Sequence, residues 1–149
     1  MMDTPLTLDF FFRRAENLFP HKELVTATAT GIERSTYGEW AERTRRLGGA
    51  MAELGVSEHG RVGTFAWNTT RHLELYFAVP CTNRVLHTLN IRLFADQNVY
   101  VANHAEDEVI FVDRSLMALL WPLVDQLETV RHLVIMDDGE GEIPEDSSV

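Results

Sequence analysis

Apolar residues near the start of the chain recur at helical spacing: Leu8, Phe11, Phe12, Ala15, Leu18 and Phe19 share one stripe. Thr4-Pro5 or Thr7 offers a start for that helix, and Pro20 stops it by withholding a backbone donor. Residues 23–28 and 31–36 read as two short strands turning at Thr30-Gly31, a hairpin. Thr36-Tyr37-Gly38-Glu39 has the form of a capping box, in which the threonine hydroxyl accepts from the first turn and the glutamate reaches back. The helix it opens aligns Trp40, Leu47, Met51 and Leu54 on a buried stripe and closes at Gly55. Gly48-Gly49 inside it costs roughly 1 kcal/mol each relative to alanine, which points to close backbone packing.

From there the pattern alternates. Strands are expected at 61–67, 85–89, 108–112 ending at Asp113, and 130–136. Between them lie helices from the Asn68-Thr69-Thr70 turn to Pro80, over 95–104 and over 115–126. This rhythm predicts an α/β fold: a mainly parallel sheet flanked by helices on both faces, with a short N-terminal hairpin. Ligands of such sheets sit beyond the carboxyl ends of the strands, which here carry Trp67-Asn68, Leu89-Asn90 and Asp113.

The chain has 149 residues and a net charge of −10. Six of its 23 acidic residues fall within 137–149: Asp137, Asp138, Glu140, Glu142, Glu145 and Asp146. Residues 1–136 keep 17 acids against 13 bases, or −4. The expected division is therefore an α/β subdomain over 1–136 and an acidic linker or disordered tail over 137–149. A mildly acidic body argues against nucleic acid as a partner, because nothing neutralises the phosphates. No apolar run approaches the length of a membrane span, and Met1-Met2-Asp3-Thr4-Pro5 has no basic region ahead of an apolar one. Cys81 is the single cysteine, so the chain forms no internal disulfide, which fits a cytoplasmic setting.

Candidate chemistry is sparse. No phosphate-binding glycine loop of the P-loop or dinucleotide type occurs. His21, His59, His72, His87, His104 and His132 are scattered, without the spacing of a metal site. Cys81 lacks a base partner and reads as a small packed residue. Glu106-Asp107-Glu108 reads as a solvated turn, and Arg71-His72, which could steer an anion at a helix start, as a pair of solvated surface side chains. No catalytic residue and no metal ligand is assigned. From the residues alone the reading stops at an α/β domain.

Three stretches resemble the N-terminal part of adenylate-forming acyl-CoA synthetases. The first is Ser35-Thr36-Tyr37-Gly38-Glu39-Trp40 with Arg46-Leu47-Gly48-Gly49-Ala50-Met51-Ala52-Glu53-Leu54-Gly55-Val56. The second joins Gly60-Arg61-Val62-Gly63-Thr64-Phe65-Ala66-Trp67-Asn68 to Arg71-His72-Leu73-Glu74-Leu75-Tyr76-Phe77-Ala78-Val79-Pro80. The third is Val85-Leu86-His87-Thr88-Leu89-Asn90 with Arg92-Leu93, then Asn103-His104-Ala105-Glu106-Asp107. The last two are most similar to the branch activating medium- and long-chain fatty acids, and the likeness runs over about residues 5–137.

The resemblance implies a partial N-terminal subdomain of the synthetase fold. It implies a parent enzyme using ATP, Mg²⁺ and CoA to turn a fatty acid into acyl-CoA through an acyl-adenylate. The family's phosphate loop, metal-binding Glu, adenylate-binding Asp and catalytic Lys lie downstream of the matched region, so this piece is expected to be inactive alone and to bind none of these cofactors well. By likeness to the family, Asn90 and Arg92 are the candidate CoA-tunnel residues, with Asn68 and His72 weaker ones. Related synthetases use their N-terminal segment in dimer contacts, which extends to a possible homodimer here, with Phe10, Phe11 and Phe12 in core or interface. The sequence departs from the family at Cys81-Thr82-Asn83-Arg84, where small residues are usual, and at Ile91 and Phe94-Ala95, where Pro and Ser-Pro are usual. Loss of that Ser-Pro start removes a helix cap worth about 1 kcal/mol. Two alternatives stay open: a non-catalytic dimerisation module derived from the family, and an unrelated receiver- or flavodoxin-like domain, whose signatures are missing.

Overall fold

Strands at 61–65, 85–88, 107–113 and 132–136 assemble into one parallel sheet, as their alternation with helices requires. The computed structural model describes residues 7–29 and 31–144. The Thr4-Pro5 helix start, Thr30 of the hairpin turn, and Glu145 and Asp146 of the acidic tail lie outside the described residues.

Helix α1 (Leu8–Leu18) leads into the antiparallel hairpin of β1 (Glu23–Thr28) and β2 (Gly31–Thr36), whose register pairs Glu23 with Thr36 and Thr28 with Gly31. Helix α2 (Tyr37–Glu53) follows at once, because Thr36 ends the strand and caps the helix. Glu39 N donates to Thr36 Oγ1 at 3.3 Å and Thr36 N donates to Glu39 Oε2 at 2.8 Å, so the capping box forms as expected. The chain then runs β3 (Arg61–Phe65), α3 (Thr70–Cys81), β4 (Val85–Thr88), α4 (Ala95–Ala105) and β5 (Asp107–Asp113). After α5 (Met117–Leu120) comes β6 (His132–Met136). The sheet order is β4-β3-β5-β6, every neighbouring pair parallel.

The sheet separates two cores. Val62, Val109 and Phe111 meet Met51, Leu75 and Val79 on the α2–α3 face. Phe65, Leu89, Ile110 and Val112 meet Ala102, Leu116, Met117 and Leu120 on the other. A third cluster joins α1 to the body through Phe12, Trp40 and Phe77, with edge-on ring pairs at 5.1 and 4.9 Å. Arg45 of α2 forks onto Glu16 of α1, and Arg43 of α2 onto Glu74 of α3 with its shorter contact at 2.5 Å.

Several expectations are corrected. On α1, Phe12 lies in the core, one of the two places expected for the aromatic run, while Leu8, Phe11, Leu18 and Phe19 are exposed, because α1 leans on the body along a line narrower than its apolar face. Leu54 likewise lies at the open end of α2. Gly48 does pack closely, since a Cβ there would come within 3.0 Å of Thr82 Cγ2, but Gly49 faces open space. The helix expected over 115–126 is broken into a 3₁₀ turn at Arg114–Leu116, the short α5 and a second 3₁₀ stretch at Trp121–Gln126, where Pro122 lacks a donor. Helix α4 has no Ser cap, yet Gln97 Oε1 accepts from Phe94 N at 3.2 Å and supplies half of one. Cys81 is exposed at the end of α3 rather than packed.

Candidate functional site

The strand order reverses between β3 and β5: the chain steps from β3 out to β4, then returns past β3 to β5. Loops leaving the two strand ends diverge at such a point and open a crevice where ligands of parallel sheets sit. A cleft of about 580 Å³ occupies that place, lined by Thr28 of the hairpin, Trp67, Asn68 and Arg71 beyond β3, Ser115 beyond β5 and Asp138 beyond β6.

Asp113, the last residue of β5, ties the two loops together. Its carboxylate is fully buried and accepts the Trp67 backbone N–H on Oδ2 at 2.7 Å, while Oδ1 has no hydrogen-bond partner among the described residues. Burial raises its pKa above the ordinary carboxylate value, opposed by the Trp67 N–H, reinforced by the charge of Asp138 and opposed again by Arg71. Arg71 Nε and Nη2 are buried without hydrogen-bond partners among the described residues, and Nη1 lies 3.9 Å from Glu33. Trp67 Nε1 donates to Ser115 Oγ at 3.0 Å, Ser115 Oγ in turn donates to Asp138, and Ser115 N donates to Asp138 Oδ1 at 3.0 Å.

His72 is buried and not a surface group, which corrects the reading of Arg71-His72. Its Nε2 lies 3.0 Å from Thr64 Oγ1 and its Nδ1 3.2 Å from Trp67 O, so it braces the loop that carries Trp67. Burial lowers its pKa, against the Trp67 carbonyl. Thr69 caps α3 by accepting from His72 N at 3.4 Å, and Asn68 lies exposed in the turn before it.

The solvated-turn reading of Glu106-Asp107-Glu108 is also corrected. Glu106 is exposed with φ 56°, closing α4, but Asp107 is fully buried and both its oxygens lie 2.9 Å from His87 Nδ1. Burial raises the Asp107 pKa and His87 opposes it. Glu108 accepts from Ser57 N at 2.9 Å and pairs with Arg131. This cluster sits at the amino end of the sheet, away from the cleft.

Of the strand-end residues singled out in the sequence, Trp67-Asn68 and Asp113 are brought together and Asn90 is not. Asn90 follows edge strand β4, where its Oδ1 accepts from Arg92 N at 2.9 Å and shapes the turn. Both side chains are exposed. Ser115 and Asp138 were missed because their pairing spans 23 residues and no local pattern announces it. Among the described residues no cluster of three or more His, Cys, Asp or Glu side chains is placed to hold a metal ion. The groups around the cleft can bind and orient a partner; the Ser115 hydroxyl is held by the Asp138 carboxylate and the Trp67 indole, and no histidine lines the cleft among the described residues.

A family model described as AMP-binding enzyme matches residues 11–148. The chain belongs to the AMP-binding enzyme family. It is 46% identical, over 93% of its length, to a long-chain-fatty-acid–CoA ligase of Thermus thermophilus, and spans 26% of that relative. It is 35% identical, over 91% of its length, to a medium-chain-fatty-acid–CoA ligase of Ectopseudomonas oleovorans, and spans 25% of it. Among solved structures, an anthranilate CoA ligase in complex with anthranoyl-AMP superposes with a TM-score of 0.80 at 18% identity, over 90% of this chain and 26% of that one. That likeness is one of fold: the parallel sheet and its helices are those of an AMP-binding enzyme's N-terminal region. The chain thus spans about a quarter of the relatives it matches.

Proposed function

We propose that this chain is the N-terminal part of an ATP-dependent, AMP-forming fatty acid–CoA ligase. In that reaction the fatty carboxylate attacks the α-phosphorus of ATP and expels pyrophosphate. The CoA thiol then attacks the acyl carbon and expels AMP. A carboxylate is a poor electrophile, and the mixed anhydride gives it a leaving group. The observation that carries the reading is the family match over 11–148, together with 46% identity to a relative bearing the fatty-acid ligase name.

The parent enzyme would use ATP, Mg²⁺ and CoA in the cytoplasm, where the lone Cys81 fits a reducing compartment. The 149-residue piece is proposed to be inactive. Transition-state charge on phosphorus needs fixed cations and oriented donors, and the acidic cleft at Trp67 offers little of either. Within the parent, Asn90 and Arg92 are proposed to approach CoA, the exposed guanidinium serving as a fork for a phosphate. Residues 1–136 are proposed as the α/β subdomain, and 137–149 as an acidic linker or tail.

ATP–pyrophosphate exchange with a fatty acid tests both halves. The 149-residue chain should stay at background, and a longer protein carrying a phosphate-holding loop should exchange. Exchange by the short chain overturns its inactivity; its absence from the longer protein overturns the ligase assignment. A second reading, a non-catalytic homodimerisation module, is favoured by one feature: Leu8, Phe10, Phe11, Leu18 and Phe19 of the α1 region are all exposed. Sedimentation velocity across a concentration series separates a dimer from a monomer.

A further inference from the structure

The acidic residues after β6 do not run straight away from the sheet. Arg114 Nε donates to Gly141 O at 2.9 Å, and Arg114 Nη1 to Asp137 Oδ1 at 3.1 Å. Asp138 accepts from both the backbone N–H and the hydroxyl of Ser115. Gly141 has φ 81°, and a Cβ there would lie 2.7 Å from Arg114 O, so the segment is fitted against the 114–115 backbone. Asp138 and Glu140 meanwhile form one wall of the cleft at Trp67.

We propose that residues 137–141 are an electrostatically latched strap that closes the Trp67 cleft, with Arg114 as the latch. The anchors named above are all polar, and Ile143 beyond them is exposed. The Asp137 partner of the latch is itself largely exposed, so salt screens the pair and solvent competes for it. Asp137, Asp138, Glu140 and Glu142 repel one another within six positions, which favours release once Arg114 no longer offsets them. Opening has a built-in reporter. When Asp138 leaves Ser115, the hydroxyl turns free and its bond from Trp67 Nε1 loosens, so movement of the strap is felt at the cleft's aromatic wall. The strap regulates access to the crevice at the strand reversal, and this holds whatever reaction the parent performs.

The test is nuclear magnetic resonance of the 149-residue chain, following the Trp67 indole N–H and the Ser115 amide, with a Trp67→Phe spectrum for assignment. Raising sodium chloride from 20 mM to 1 M should shift the Trp67 indole signal and speed Ser115 amide exchange about tenfold or more, while the β6 amides stay protected. Arg114→Gln should reproduce the high-salt state at low salt and remove the salt response. The buried Trp40 indole should not move in either case. A Trp67 signal and a Ser115 amide that ignore salt in the unmodified chain overturn the proposal. If Arg114→Gln disrupts β6 as well, the salt series on the unmodified chain decides alone.

Discussion

His72 places a titratable ring in the core, between Thr64 and the Trp67 carbonyl, where water cannot solvate its cation. Its folded pKa lies below the ordinary 6.5 because burial penalises the charged form. The unfolded chain therefore takes up a proton first as pH falls, and stability contributed by neutral His72 is lost from pH 6.5 downward through the folded value. Asp107 and Asp113 act with the opposite sign: their raised values stabilise the protonated fold and weaken it as pH rises through the carboxylate range. Because the signs oppose, a substitution at His72 isolates its share. The urea midpoint should fall between pH 7 and pH 5, and His72→Gln, which keeps a donor and acceptor but no titration, should flatten that slope. An equal slope in the variant would show that His72 is not the group responsible.

At the level of elements, the junction of β2 and α2 rests on one side chain. Thr36 ends the strand register and caps the helix, so its hydroxyl fixes where the hairpin stops and α2 begins. Thr36→Ala removes the acceptor for Glu39 N and should cost about 1 kcal/mol, a drop of about 2–4 °C in melting temperature for a chain of this size. Differential scanning calorimetry reads it directly. A change within error would mean that tertiary packing of Trp40 alone holds the helix start. The cap, the hairpin and the sheet were legible in the sequence because each is written in a short window: a hydroxyl three residues before a glutamate, a glycine between two β-rich runs, apolar strands between helical stripes. The break beside Pro122 has a local signal too, a residue without a backbone donor, although the helix was expected to run unbroken over 115–126. The exposure of α1 was not legible, because a stripe shows that a face is apolar and says nothing about how wide the surface opposite it is.

Across the whole molecule, the site was only half legible for the same reason. Strand ends can be read along the chain, so Trp67-Asn68 and Asp113 were found; contacts between loops 23 to 51 residues apart cannot, so the Ser115–Asp138 and Ser57–Glu108 bonds were not. The assignment of Asn90 and Arg92 rests on family likeness, and their place at the edge strand, apart from the cleft, makes a two-step reaction the right instrument to test it. If Arg92 meets CoA, it acts after the adenylate has formed. In a full-length parent enzyme, Arg92→Ala should leave ATP–pyrophosphate exchange unchanged and raise KM for CoA about tenfold or more, the loss of roughly 1.5 kcal/mol expected for one charge-assisted pair. Arg92→Lys should recover part of that loss as a point charge without the planar fork. A variant that impairs exchange and thioester formation alike would place Arg92 in the structure of the turn with Asn90, and an unaltered KM would remove it from the CoA path.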